Sequence, residues 1–174
     1  MIRKSNNRQE LVQSLSALIP AAQTETHAVD EAAANRLRIN RTDLRCLGAV
    51  LEQGSVSASR LAEIVGLTRG AMTTALDRLE RAGFVRRIRD RQDRRSIKIE
   101  ATPAAKKGVH AIWQPIRADG LDLLKTYSDA ELELLLRFFT DYCALHRAHA
   151  GRIRRMRRKS RGTDRPETST LGLC

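Results

Sequence analysis

LAEIVGLTRGAMTTALDRL, running from Leu61 to Leu79, is the stretch that decides the fold. Ala62 is small and lets two helices approach closely. Gly66 stands four residues later, where a turn is needed. Leu67, Met72 and Leu76 then supply apolar anchors facing the first helix. A small residue, a turn glycine and apolar anchors at these offsets describe a helix-turn-helix. The first helix runs over Ser57 to Val65, carries Leu61, Ile64 and Val65, and ends at Gly66. The second runs over Thr68 to Ala82 with Met72, Leu76 and Leu79 on one face. Gly83 falls where a helix C-terminus favours positive φ.

Immediately downstream the period changes from helical to alternating. Phe84 to Arg89 and Ile97 to Glu100 read as strands, with Ile97 and Ile99 alternating with Lys98 and Glu100. The polar loop Asp90 to Ser96 lies between them, which makes a β-hairpin with a basic tip.

The flanks are helical. Leu11, Leu15, Leu18 and Ile19 fall at helical spacing, and Pro20 is expected to break or kink that helix. A second run follows to about Leu37. Thr42 is expected to cap a helix carrying Leu44, Leu47, Val50 and Leu51 that ends near Gly54. After the hairpin, Thr102-Pro103 is a helix start, with Thr as N-cap and Pro in the first turn. Val109, Ile112, Trp113, Ile116, Leu123 and Leu124 form its stripe, and Pro115 should bend it. Ser128-Asp129-Ala130-Glu131 is a capping box, and Leu132, Leu135, Leu136, Phe139 and Cys143 form the stripe of the helix it opens. The expected fold is therefore mainly α with a small β-hairpin. A winged helix-turn-helix domain (39–102) is flanked by N-terminal (1–38) and C-terminal (103–159) dimerisation helices, and residues 160–174 form a polar tail expected to be disordered.

Charge placement narrows the partner. The net charge is +12. Arg86 to Arg95 holds six arginines against two aspartates, and Arg152 to Arg161 holds seven basic residues and no acid. These two short stretches carry nearly all of the excess, which points to a polyanion. Cys46, Cys143 and Cys174 are few and far apart, so they make no disulfide framework. No apolar run is long enough to span a membrane, and the polar N-terminus has no signal region, so the chain is expected in the cytoplasm without a membrane partner. No catalytic triad spacing, Gly-rich phosphate loop, HExxH or paired-carboxylate pocket stands out, so no enzyme activity and no catalytic residue is expected.

On a second helix placed N-terminal end first in a major groove, the buried face leaves Thr68, Arg69, Gly70, Thr73, Thr74 and Arg78 pointing outward. Arginine reads guanine with two hydrogen bonds, threonines bond phosphates or touch thymine methyls, and Gly70 permits close approach. The hairpin, through Arg87, Arg89, Arg91, Arg94 and Arg95, would reach an adjacent minor groove or its phosphates. Asp93 is expected to orient Arg95 or cap the turn. RNA is disfavoured because a helix cannot enter the A-form major groove.

The stretch from about Arg41 to Thr102 resembles the MarR family of bacterial winged helix-turn-helix regulators. The residues that carry the likeness are Leu61-Ala62, Leu79-Glu80, Gly83-Phe84-Val85, Arg87 and Asp93-Arg94-Arg95. Ala105 stands where that family often has glycine. The resemblance implies a homodimer on double-stranded DNA with a pseudo-palindromic operator, and a sequence-specific regulator that acts as a repressor released by a small ligand. The high basic charge keeps a sequence-tolerant architectural DNA-binding protein as the alternative. The family also implies an effector pocket of unknown chemistry. Trp113 and Cys46 are the candidates for lining such a pocket or packing in the dimer core. No cofactor is required, and no metal is expected, since His146 and His149 lack an evident third ligand.

Overall fold

In a computed structural model, residues 8–89 and 97–160 are described, with side chains as far as Met156. The elements are α1 (Arg8–Leu37), α2 (Arg41–Gln53), β1 (Ser55–Ser57), α3 (Ala58–Val65), α4 (Arg69–Arg81), β2 (Val85–Arg89), β3 (Ile97–Ala101), α5 (Pro103–Leu124) and α6 (Asp129–Ser160). They fall into two compact units, Met1–Ile116 and Arg117–Cys174.

In the first unit, α2, α3 and α4 pack around one core whose largest fully buried members include Leu47, Leu61, Met72, Leu76, Leu79 and Ile99. The sheet closes one side of it, in the order β1-β3-β2, both pairs antiparallel. The hairpin registers Val85 against Ala101 and Arg89 against Ile97. The third strand, β1, was not expected. It sets Val56 opposite Ile99, and both are buried. Ile97, expected inward, is 56% exposed at the open end of the hairpin. The start of α5 also belongs to this core, because Ala105 is fully buried and Val109 packs beside it.

Several helix ends follow the local chemistry of their residues. Ser57 and Thr68 are the N-caps of α3 and α4, accepting from the backbone N–H groups of Arg60 (3.3 Å) and Ala71 (3.2 Å). Gly66 ends α3 in the left-handed region at φ 74°, a conformation that costs glycine little. Gly83 follows α4 at φ 77°, as expected. Before α6, Glu131 reaches back to accept from the Ser128 N–H (2.8 Å) and Oγ (2.6 Å), and these bonds hold its carboxyl below the usual range.

Other expectations need correction. The N-cap of α2 is Asn40, not Thr42. Asn40 has extended backbone and its Oδ1 accepts from the Asp43 N–H at 2.8 Å, which places Thr42 inside the first turn. Pro20 does not break the first helix; α1 runs through it as one 30-residue element. The Ser16 carbonyl loses its N–H partner there, but the site is exposed and open to water, so the loss is tolerated. The helix α5 likewise runs through Pro115, and the boundary between the two units falls just after it.

Much of α1 has no cover within its own unit. Leu11, Val12, Leu15 and Leu18 are 47–59% exposed. In the second unit, Leu136, Phe139, Leu145 and Met156 of α6 are likewise exposed.

Candidate nucleic-acid interface

The helix α4 presents two chemically different sides. Met72, Ala75, Leu76 and Leu79 are buried against α2 and α3. Arg69, Gly70, Thr73 and Thr74 are exposed together on the other side. The Thr73 and Thr74 hydroxyls donate to the carbonyls of Arg69 (3.0 Å) and Gly70 (3.1 Å), one turn back. Each hydroxyl oxygen keeps its lone pairs for a donor outside the protein. A Cβ placed on Gly70 would meet nothing within 4 Å. Glycine is a poorer helix former than alanine, and among the described residues nothing crowds this position. A surface that comes close to α4 from outside would account for it.

Arg69 is the first residue of α4 and makes no ion pair among the described residues. It stands beside the uncompensated N–H groups of the helix start, where anions are favoured. Thr68, expected in the same outward set, is exposed but commits its Oγ1 to the cap.

Arg78 is a correction. It was expected to point to the partner with the others. Instead its Nε and Nη2 donate to Asp43 Oδ2 (2.8 Å) and Oδ1 (2.6 Å). Asp43 is buried, its side chain 3% exposed, and it also accepts from Asn40 Nδ2 at 2.9 Å. The two-pronged bond to Asp43 raises the Arg78 guanidinium above its ordinary range. Arg78 therefore fastens the C-terminal half of α4 to the first turn of α2, and so sets the attitude of the exposed face.

Arg87 is the second correction. It was grouped with the hairpin's contact residues. Its Nη2 lies 2.5 Å from Asp77 Oδ1 and its Nη1 pairs with Glu80, both on α4. Its backbone N–H donates to Glu80 Oε1 at 3.1 Å. Hydrogen bonding to Asp77, then the charges of Glu80 and Asp77, raise its guanidinium as well. Arg87 thus ties the hairpin to α4. Arg86 pairs across the hairpin with Glu100 at 3.2 Å. Arg89 is exposed at the end of β2, and of the expected hairpin contacts it alone is both described and unpaired among the described residues. Arg91, Asp93, Arg94 and Arg95 lie outside the described residues.

The two pocket candidates separate. Trp113 is half-buried with Ile112 against Ala33, Ala34 and Leu44, where α1, α2 and α5 meet. With Leu44, Leu47, Val109, Arg45, Arg41 and Asp30 it lines a cavity of about 220 Å³. Cys46 does not line it. Cys46 is fully buried in the winged-helix core, and burial followed by the Asp43 charge pushes its thiol up to about 11. A thiol so shifted is a packed hydrophobe and a poor nucleophile.

The clamps Asp43–Arg78 and Asp77/Glu80–Arg87 were missed by sequence reasoning. The acidic pair at Asp77 and Glu80, one turn apart beneath an arginine-rich strand, was the available signal for the second. The first joins residues 35 apart in the chain and leaves no local mark.

Comparison with known proteins agrees with this geometry. Residues 39–97 match the MarR family. YcgE of Bacillus subtilis (strain 168), an uncharacterised HTH-type transcriptional regulator, is 35% identical over 133 residues, covering 76% of this chain and 86% of that protein. A MarR family protein from Bacillus stearothermophilus superposes with a TM-score of 0.62 at 20% identity, over 83% of this chain and 99% of that one. A mutant of S. aureus MepR bound to an oligodeoxyribonucleotide superposes with a TM-score of 0.54 at 21% identity, over 75% and 96% of the two chains. No helix among the described residues is long and apolar enough to cross a membrane. The match across the winged domain and a relative aligned over 76% of this chain and 86% of its own length identify the chain as a member of the MarR family of HTH-type transcriptional regulators.

Proposed function

We propose that the chain is a homodimeric repressor that binds a specific double-stranded operator. In this reading α4 enters the major groove with Arg69, Gly70, Thr73 and Thr74 toward the bases and phosphates, and the hairpin reaches the neighbouring minor groove through Arg89 and the arginines beyond it. The observation that carries the reading is the division of α4 into a buried apolar side and an exposed side on which, among the described residues, Arg69 is unpaired and nothing crowds Gly70. That a MepR mutant of the same fold was captured on an oligodeoxyribonucleotide supports the choice of partner.

The dimer is supported by the apolar positions of α1 and α6 that their own units leave uncovered. Residues 1–38 and 103–159 supply its helices, although the first turns of α5 also complete the winged-helix core. The 220 Å³ cavity beside Trp113 is the proposed effector site. Asp30, Arg41 and Arg45 join its apolar lining residues, a composition suited to a small, largely apolar molecule with one polar group. A ligand there would act on α2, and through the Asp43–Arg78 clamp on α4.

Selection of bound duplexes from a random pool tests the reading. A two-fold dimer should enrich an inverted repeat whose half-site centres lie about 10 bp apart. Enrichment of no motif would favour the sequence-tolerant coating protein.

A further inference from the structure

The winged domain leaves one strongly charged surface unused. From Tyr142 to Arg161 the sequence has eight basic residues and no acidic one. The helix α6 continues through this stretch to Ser160. Arg147, Arg152, Arg154 and Arg155 are exposed on it. Arg152 contacts His149 Nδ1 at 3.0 Å, while Arg147, Arg154 and Arg155 make no ion pair among the described residues.

A favourable interaction with the helix dipole accounts for cations in a last turn only. It does not account for a run that begins three turns earlier. Like charges three and four residues apart destabilise a helix, so the run is costly unless something neutralises it. A phosphate backbone does so, releasing condensed counterions as it binds. A membrane surface is the weaker fit. Interfacial helices seat Trp, Phe and Leu in the lipid, and beyond Tyr142 this helix has no aromatic residue, with only Leu145, Ile153 and Met156 as large apolar groups.

We infer that the C-terminal half of α6, from Arg147 onward, is a second DNA-binding surface, one that grips duplex phosphates without regard to sequence. The inference rests on the proposed duplex partner, but not on operator recognition by α4. It gives the protein two separable modes, base reading by α4 and phosphate holding by α6.

The test is the salt dependence of affinity for a scrambled duplex, measured with the full chain and with Arg147, Arg152, Arg154 and Arg155 all changed to Gln. Glutamine keeps nearly the helix propensity of arginine, so circular dichroism and sizing should be unchanged. The slope of log affinity against log salt should fall by about 2 or more, at about 0.9 for each phosphate no longer neutralised, and affinity for scrambled DNA should drop tenfold or more. The corresponding four-fold change to Lys should keep the slope. If the Gln variant misfolds, the pairs Arg147 with Arg152 and Arg154 with Arg155, each changed to Gln in the full chain, give the same readout with about half the fall in slope. An unchanged slope overturns the inference. Loss of binding to phosphatidylserine vesicles with DNA binding unaltered also overturns it, in favour of a membrane. A wild-type protein that binds scrambled and selected duplexes equally, with the slope still falling in the Gln variant, would remove the operator reading and leave this inference standing.

Discussion

Changing Arg78 to Ala should destabilise the folded protein by about 2–3 kcal/mol, read as a fall in the urea midpoint. Asp43 is nearly inaccessible, and Arg78 supplies two of its three side-chain hydrogen bonds. Removing one partner of a buried pair strands the other's charge, which costs about 3–5 kcal/mol when both are fully buried. Arg78 is partly exposed and Asn40 remains, so the expected loss is smaller. The double variant Arg78→Ala with Asp43→Asn should recover part of it, because a neutral amide is cheaper to leave short of partners. If Arg78 instead faced the DNA bases, the single change would leave stability untouched and reduce operator affinity alone.

Arg69 should show the opposite pattern. It is exposed, unpaired among the described residues and sits at the entry to α4. Changing it to Ala should leave the melting temperature unchanged. Affinity for the selected site should fall by about 1–3 kcal/mol, roughly five- to 150-fold, with a much smaller loss on scrambled DNA. Equal losses on both duplexes would make Arg69 a phosphate contact and move base reading to the threonines or the hairpin. Arg69 and Arg78 lie nine residues apart on one helix, and the expected separation of their effects follows from their partners, not from their residue type.

That contrast marks what sequence could and could not show. Features written in a few adjacent residues were legible. Gly66 and Gly83 end α3 and α4 where their spacing places them, and from the Ser128–Glu131 box the structure has the Glu131 carboxylate accepting from the Ser128 N–H. The winged architecture was legible because the period changes at Phe84 and because the hairpin alternates. The strand β1 was not, since three residues carry no period and Val56 becomes a strand residue only by meeting Ile99. Asn40 and Thr42 are both good caps; Asn40 takes the role and also donates its side-chain N–H to the same Asp43 that receives Arg78.

The arginines were the hardest to assign. A guanidinium serves a phosphate, a base or a buried carboxylate equally well, so density of charge identifies a surface but not which member touches the partner. Arg78 and Arg87 hold α4 and the hairpin in place, while Arg69 and Arg89 are exposed and unpaired among the described residues. Glu80 and Arg87, which carried the family resemblance, do so as a structural tie between helix and wing.

The central claim is that the exposed side of α4 reads sequence. Its most direct test is the affinity of the full chain for the duplex selected from the random pool, set against a scrambled duplex at physiological salt. The account predicts a preference of about a thousandfold or more. Equal affinity for the selected duplex and the scramble would contradict it.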